Sequence, residues 1–238
     1  MINEQKPLIS YPRGPEYSGW FSGCIFSFAD LLQSPLRIAK RIGYFSRSCN
    51  TNKNKMTPEK LDELRNELSV KAKNGIDFTL AASIIWLVIV FLWRLDFKPY
   101  DKSIFVFIAG GPLLPLALLF SRLLKTNWKN KDNPLQPLGL WLNIAQLFYF
   151  PFLIFTLMKM PEYFIMTYAI ITGAHLFPYA WFYRTNWYAI FAGIIALGSL
   201  FLGIFLPEKM YFVALFTSIS LFILTICLYF DTLKKRTI

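Results

Sequence analysis

The side chains best suited to chemistry lie in IITGAHLFPYAWFY, residues 170–183, a stretch that contains the only histidine of the chain. Thr172, His175 and Tyr179 follow one another at spacings of three and four residues, so they share one face of a helix. Pro178 has no N–H group, which leaves a carbonyl of the preceding turn without its helical donor and favours a bend. Neutral imidazole offers one hydrogen-bond donor and one acceptor. The stretch therefore predicts a neutral polar site or a polar contact between helices.

Two amide side chains, Asn143 and Gln146, lie three residues apart in the preceding apolar segment and share a face of its helix. The link between the two segments, at residues 159–161, is short, so the helices should be antiparallel neighbours. With a rise of about 1.5 Å per residue, Gln146 and His175 fall at a similar depth. We therefore expect Asn143, Gln146 and His175 to lie close together.

A third feature is the sequence Gly110-Gly111-Pro112 in the middle of another apolar segment. Glycine and proline in this order allow a kinked or broken helix, and broken helices in transporters expose backbone groups at substrate sites. Close packing against a neighbouring helix would equally account for these small residues. The predicted ligand-binding residues are Asn143, Gln146, Thr172, His175, Tyr179, Gly110 and Gly111.

The polar face is also compatible with a purely structural role. Polar side chains in membrane helices form clasps, in which each hydrogen bond stabilises by about 0.6 kcal/mol. A single histidine without nearby cysteine or carboxylate ligands cannot complete a metal or haem site within one chain. The sequence also lacks the GxSxG, HExxH and glycine-rich phosphate-binding motifs. We expect no catalytic residue, no metal and no cofactor, and a protein that is not an enzyme.

The composition indicates that lipid surrounds most of the chain. The sequence is 55% hydrophobic and 18% aromatic but only 16% charged, whereas soluble domains carry about a quarter charged residues. The net charge of +11 comes from lysine and arginine at the ends of apolar segments, which is typical of cytoplasmic loops rather than of nucleic-acid binding. The expected partner is the lipid bilayer, and no nucleic acid is expected.

The apolar segments are long enough to cross a bilayer as helices, because about 20 residues span about 30 Å of hydrocarbon. Backbone groups in lipid must be paired within each segment, so the predicted fold class is an all-α membrane protein. We predict a six-transmembrane-helix bundle with spans at approximately residues 78–95, 103–121, 138–158, 162–183, 187–206 and 210–230.

The fifth span carries a row of small residues at alternating spacings of three and four, which favours the close approach of a second helix. The row consists of Ala189, Ala192, Ala196, Ser199 and Gly203. Packing within one bundle is the first interpretation and a dimer face is the second, so a homo-oligomer is left open.

A short cytoplasmic amphipathic helix is predicted before the first span. Thr57 is a suitable N-cap and Pro58 suits the first helical position. Asn74-Gly75 suits the end of the helix, because both residue types adopt left-handed backbone conformations readily. Apolar residues recur at helical spacing between these limits, opposite a charged face.

The sequence thus divides into an N-terminal extension at residues 1–55, the amphipathic helix at 56–75 and the six-helix transmembrane domain at 76–238. The extension is expected to be poorly ordered or to lie on the membrane surface. Met56 is a second candidate for the natural start besides Met1. More lysine and arginine residues flank the spans on the side of the amphipathic helix, so both termini are predicted to be cytoplasmic.

Four stretches suggest a family: LRNELSVKAKNGIDF, NWKNKDNPL, NIAQLFYFP and YAIITGAHLFPYAWFY. On these residues the chain resembles an uncharacterised family of small bacterial multi-pass integral membrane proteins, defined only as a domain of unknown function. The resemblance covers roughly residues 57–230. It implies a protein of the bacterial plasma (inner) membrane and brings no activity with it.

Two functions of different classes follow from these features. The first is a permease-like or small-ligand-binding membrane protein with a neutral polar site between spans two, three and four. The alternative is a non-catalytic membrane partner or assembly protein whose polar residues are a structural clasp. No Asp, Glu, Lys or Arg lies at mid-depth in the predicted spans, which argues against a proton pump or an acid-driven antiporter.

Overall fold

A computed structural model of the chain describes residues 57–127 and 132–236. The predictions for residues 1–55 and for Met56 as a start lie outside these ranges. Nine α-helices lie within these ranges. They are α1 (Pro58–Lys71), α2 (Ile76–Arg94), α3 (Pro99–Gly110), α4 (Leu113–Leu123), α5 (Gln136–Leu147), α6 (Phe150–Lys159), α7 (Phe164–Phe182), α8 (Trp187–Phe205) and α9 (Tyr211–Arg236). The described ranges contain no strand.

Helix α1 begins where the sequence predicts and ends slightly earlier. The hydroxyl of Thr57 accepts a hydrogen bond from the backbone N–H of Lys60 at 3.2 Å, and Pro58 is the first helical residue. Lys73, Asn74 and Gly75 then follow with φ values of 47°, 55° and 74°. Three consecutive residues are therefore left-handed, and two of them carry a Cβ atom that disfavours this conformation.

Within the described ranges, five helical segments are long and apolar enough to cross a membrane: Lys73–Arg94, Pro99–Leu123, Gln136–Lys159, Trp187–Phe205 and Tyr211–Arg236. The sequence predicts α7 as a sixth span. This helix has 19 residues but is not among these five, because His175, Pro178 and its tyrosines lower its mean hydropathy.

Two of the apolar segments are interrupted near their middle. Between α3 and α4, Gly111 and Pro112 keep right-handed φ values of −58° and −67°, and the N–H of Gly111 bonds to the carbonyl of Ile108 at 3.0 Å. The predicted irregularity at Gly110-Gly111-Pro112 is therefore a kink rather than an unwound segment. A similar interruption separates α5 from α6 just before Pro151, whose ring cannot be accommodated in an unbroken helix.

The core lies among α2, α7, α8 and α9. Helix α7 packs along α8, and α9 packs along α2 and against α7 and α8. In the segment of α2, 56% of an 18-residue apolar stretch is buried inside the protein. The corresponding buried share is 17% in α3–α4 and 6% in α5–α6. Helices α3 to α6 thus form a loosely packed flank beside a well-packed core.

Basic side chains join several helix ends at one end of the bundle. Arg65 Nε donates to the carbonyl of Trp181 at 2.8 Å, Lys235 Nζ donates to the carbonyl of Tyr183 at 2.9 Å, and Lys73 Nζ donates to the carbonyl of Leu124. Cations at helix C-termini satisfy free carbonyls and interact favourably with the helix dipole. We call this end, formed by α1, residues 73–75 and the C-termini of α4, α7 and α9, the α1 end.

The C-terminus of α4 supplies a first stability prediction. Lys125 is exposed with a φ of 51°, and the N–H of Thr126 bonds to the carbonyl of Ser121 at 2.9 Å, as in a Schellman cap. Glycine avoids the Cβ strain there, so Lys125→Gly should raise the free energy of unfolding by about 0.5–1 kcal/mol. Lys98, exposed with a φ of −62°, is the control.

The measurement is SDS-induced unfolding of the purified protein in detergent micelles, followed by circular dichroism. Lys98→Gly should leave the free energy of unfolding unchanged or lower it, because glycine adds freedom to the unfolded chain without relieving strain. Equal effects of the two substitutions would contradict the strained conformation at Lys125.

Candidate functional site

The predicted polar face lies on α7, and the structure leaves part of it without hydrogen-bond partners. Thr172 Oγ1 donates to the carbonyl of Tyr168, one turn earlier, at 2.9 Å. The ring of His175, half-buried, meets the ring of Tyr179 edge to face with centroids 5.3 Å apart. Within the described ranges the buried hydroxyl of Tyr179 has no hydrogen-bond partner.

The amide side chains of α5 do not complete a hydrogen-bonded cluster with the histidine. Asn143 Nδ2 donates to the carbonyl of Gly139 at 2.9 Å, within its own helix. In the part of the chain that the structure describes, no hydrogen bond joins Asn143, Gln146 and His175 to one another. Asn143 and Gln146 are both half-buried. The predicted contact is therefore absent as a direct hydrogen bond.

The predicted match in depth is supported by the packing of α5 against α7. A Cβ atom on Gly139 would lie 3.1 Å from Cζ of Phe182, so these residues are in close contact. Gln146 is seven residues after Gly139, and His175 is seven residues before Phe182. Because the helices are antiparallel, each lies about 10 Å from this contact in the same direction. Gln146 and His175 therefore occupy the same level of the bundle.

The two glycines of the kink face different surroundings. A Cβ atom on Gly110 would lie 2.9 Å from the hydroxyl oxygen of Tyr168, so α3 approaches α7 closely at this point. Gly111 is exposed, and the nearest atom to its Cβ position is the carbonyl oxygen of Ile108, in the preceding turn. Gly110 thus packs against α7 at Tyr168, one turn before Thr172, whereas no atom of α7 lies near the Cβ position of Gly111.

A second polar cluster, at the α1 end, is one that the sequence does not predict. Asn74 is fully buried, and its Nδ2 lies 3.2 Å from the carbonyl oxygen of Leu228, 2.9 Å from Asp231 Oδ2 and 3.0 Å from Thr232 Oγ1. Its backbone carbonyl accepts a hydrogen bond from the hydroxyl of Tyr188 at 2.7 Å. The pair Asn74-Gly75 by itself indicates only a local helix end.

Charged side chains complete this cluster and are paired within it. Lys235 Nζ lies 2.8 Å from Asp231 Oδ2 and donates to Ser69 Oγ at 2.9 Å. Ser69 Oγ in turn donates to Oδ1 of Asn74. Nearby in the chain, Asp77 is 1% exposed and accepts a hydrogen bond from Thr126 Oγ1 at 2.7 Å. Ser69, Asn74, Asp231 and Lys235 are satisfied by one another, so their cluster is a joint between helices rather than an open site.

The chemistry available to the α7 face is hydrogen bonding by uncharged groups. It presents the hydroxyl of Tyr179, the imidazole of His175 and, at the same level on α5, the amide of Gln146. These groups both donate and accept. Among the residues that the structure describes, no three His, Cys, Asp or Glu side chains are grouped so that they could hold a metal ion.

The five long apolar helical segments within the described ranges are those of a membrane-embedded protein. Residues 61–231 match the protein family described as "Family of unknown function (DUF7010)". The chain belongs to this family, which confirms the resemblance to an uncharacterised membrane-protein family over nearly the same residues. No curated protein and no solved structure matches the chain significantly.

Proposed function

We propose that the protein binds a small, uncharged polar ligand at the α7 face, between spans two, three and four, in the manner of a permease. The observation that carries this proposal is the hydroxyl of Tyr179, which is buried and unpartnered within the described ranges, beside the imidazole of His175. A buried donor without a partner costs about 1–3 kcal/mol. A ligand that hydrogen bonds to this hydroxyl would recover that free energy.

The arrangement of the other polar groups supports a ligand over a structural clasp. In a clasp, the polar side chains of α5 and α7 would bond to each other, yet Asn143 bonds to its own helix at Gly139. Gln146 lies at the level of His175, where its amide can bind the same ligand. The absence of charged side chains at mid-depth in the predicted spans makes an uncharged ligand the best match, because an ion would lack a countercharge.

The proposal includes six crossings of a bacterial plasma membrane with both termini in the cytoplasm. Helix α7, with its 19 residues, is about 28 Å long, which is close to the thickness of the hydrocarbon core. The hydrogen bond of Asn74 to Thr232 brings the start of the first span next to the end of the last one, which supports an even number of crossings. Lysines and arginines at this end fit the positive-inside rule.

Accessibility to water distinguishes a ligand site from dry packing. Cys24, Cys49 and Cys227 would first be replaced by alanine, and a single cysteine would then be introduced in place of His175 or Gln146. A charged methanethiosulfonate reagent reacts only with thiols that water reaches. We expect it to modify both positions in membrane vesicles, because a permease-like site opens to the aqueous phase.

Ala174→Cys is the matched control, because Ala174 is exposed on α7 next to His175 and would face lipid. Its modification should be about tenfold or more slower, since a charged reagent does not enter hydrocarbon. The ligand-site proposal fails if His175→Cys and Gln146→Cys stay as unreactive as Ala174→Cys while the protein remains folded.

A second candidate function is a non-catalytic partner or assembly protein of the membrane. The exposed surface of α5–α6 favours it, because only 6% of the apolar stretch of this segment is buried. The side chains of Phe148 and Phe152 there are 71% and 65% exposed. A partner protein or a second copy could cover this flank. Disulfide cross-linking through Phe152→Cys would then join two chains in native membranes, and Phe201→Cys, exposed by 57% on α8, is the control.

A further inference from the structure

A surface groove at the α1 end lies beside the C-terminus of α7. It has a volume of about 360 Å³ and is lined chiefly by Arg65, Phe177, Trp181, Arg184 and Asn186. We propose that this groove binds the phosphate headgroup of an anionic phospholipid. The proposal concerns a different surface from the α7 ligand site and does not depend on it.

The charge of the groove is the first argument. Arg65 Nη1 bonds to Asp62 Oδ1 at 2.8 Å, and Arg184 Nη2 lies 3.6 Å from Asp62 Oδ2. Two guanidinium groups thus share one carboxylate, which leaves a net positive charge. The side chain of Arg184 is 49% exposed, so its remaining N–H groups can donate to a phosphate oxygen. Arginine suits phosphate because its planar fork can make two parallel hydrogen bonds.

Asn186 adds an uncharged donor to the same groove. It occupies the N-cap position of α8, but its side chain makes no capping hydrogen bond to that helix. Its exposed amide can therefore donate to a phosphate oxygen beside Arg184. A guanidinium group and a neutral amide next to each other match a phosphodiester, which presents acceptors and one negative charge.

The position of the groove relative to the membrane favours a lipid over a soluble anion as its ligand. Trp181 and Trp187 are exposed by 47% and 39%, and exposed tryptophans of membrane proteins concentrate at the level of the headgroups. Phe177, one turn from Trp181 toward the middle of α7, is exposed by 62% and offers an apolar wall for an acyl chain. Basic pockets at the ends of membrane helices are known to bind anionic headgroups.

The test uses the full chain, purified in phosphatidylcholine mixed micelles and titrated with phosphatidylglycerol. Bound lipid is counted by native mass spectrometry, and the rise of Tm with lipid concentration gives an apparent affinity. Arg184→Asn removes the charge and keeps a residue that tolerates the φ of 54° at this position. We expect about tenfold weaker phosphatidylglycerol binding in this variant.

Arg122→Asn is the matched control. Arg122 is an exposed arginine in the last turn of α4 at the same end of the bundle, and it does not line the groove. Its substitution removes the same charge and should leave phosphatidylglycerol affinity within about twofold of the wild type, since only general surface attraction changes.

Asn186→Asp is a second variant that should fold at least as well as the wild type, because aspartate is a favourable N-cap. Its added negative charge should repel the headgroup and weaken phosphatidylglycerol binding by about tenfold. The proposal is overturned if Arg122→Asn weakens binding as much as Arg184→Asn does, or if phosphatidylglycerol binds no better than phosphatidylcholine. It is also overturned if soluble glycerol phosphate gives the same rise in Tm, because the groove would then hold a free anion.

Discussion

Replacing Asn74 by alanine is expected to lower the free energy of unfolding by about 3–4 kcal/mol, one of the largest effects of a single substitution in this chain. Alanine cannot donate to Leu228 or Thr232, and it leaves Ser69 and Lys235 without the acceptor Oδ1 of Asn74. It also keeps a Cβ atom at a φ of 55° without the tolerance of asparagine for this conformation.

Two further variants separate the causes of this loss. Asn74→Gly removes the same hydrogen bonds but relieves the backbone strain, so it should be about 1 kcal/mol more stable than Asn74→Ala. Asn66→Ala, in the middle of α1, should change the free energy of unfolding by less than about 0.5 kcal/mol. Unfolding in mixed micelles of SDS and a mild detergent gives all three values. A loss below about 1 kcal/mol for Asn74→Ala would contradict the role of this side chain as a joint.

Gly173→Ala is expected to lower the free energy of unfolding by about 2–3 kcal/mol. A Cβ atom at this position would lie 2.8 Å from the backbone N of Ala196 and 3.1 Å from the carbonyl oxygen of Ala192. These are backbone atoms of α8, so the two helices must move apart and lose packing along their length. The intrinsic preference of alanine for helices, about 1 kcal/mol over glycine, offsets only part of this loss.

Gly193→Ala is the matched control for this prediction. It lies on α8, and a Cβ atom at this position has no atom within 4 Å. The substitution should therefore be neutral or stabilise by up to about 1 kcal/mol through helix preference alone. Thermal unfolding in the same detergent compares the two variants. Similar Tm values for Gly173→Ala and Gly193→Ala would show that α7 and α8 are not in close backbone contact.

The sequence is most informative where a local pattern determines the structure. Thr57 and Pro58 identify the start of α1, and Gly110-Gly111-Pro112 identifies a kink. The row of small residues on α8 correctly predicts the close approach of a helix, since Ala192 and Ala196 meet Gly173. Caps, prolines and small residues act on neighbouring backbone, so their effects can be read from spacing alone.

The polar clusters are harder to predict because several hydrogen-bond partners are available to each polar side chain. Asn143 is expected near His175, but it bonds to the carbonyl of Gly139, four residues earlier, as short polar side chains in membrane helices often do. Asn74 bonds to Thr232, 158 residues away along the chain. Spacing gives the depth of a side chain in a bundle, but the neighbouring helix and the rotamer decide the hydrogen bond.

The lower hydropathy of α7 has a consequence for biosynthesis. A helix with a histidine, a proline and several tyrosines gains less free energy on entering lipid than its neighbours do. Helix α8 follows after residues 183–186 and is long and apolar enough to cross by itself. Its backbone meets α7 at Gly173. In the proposed six-crossing arrangement, the two helices would leave the translocon as a hairpin, with α8 supplying the free energy that draws the polar helix into the bilayer.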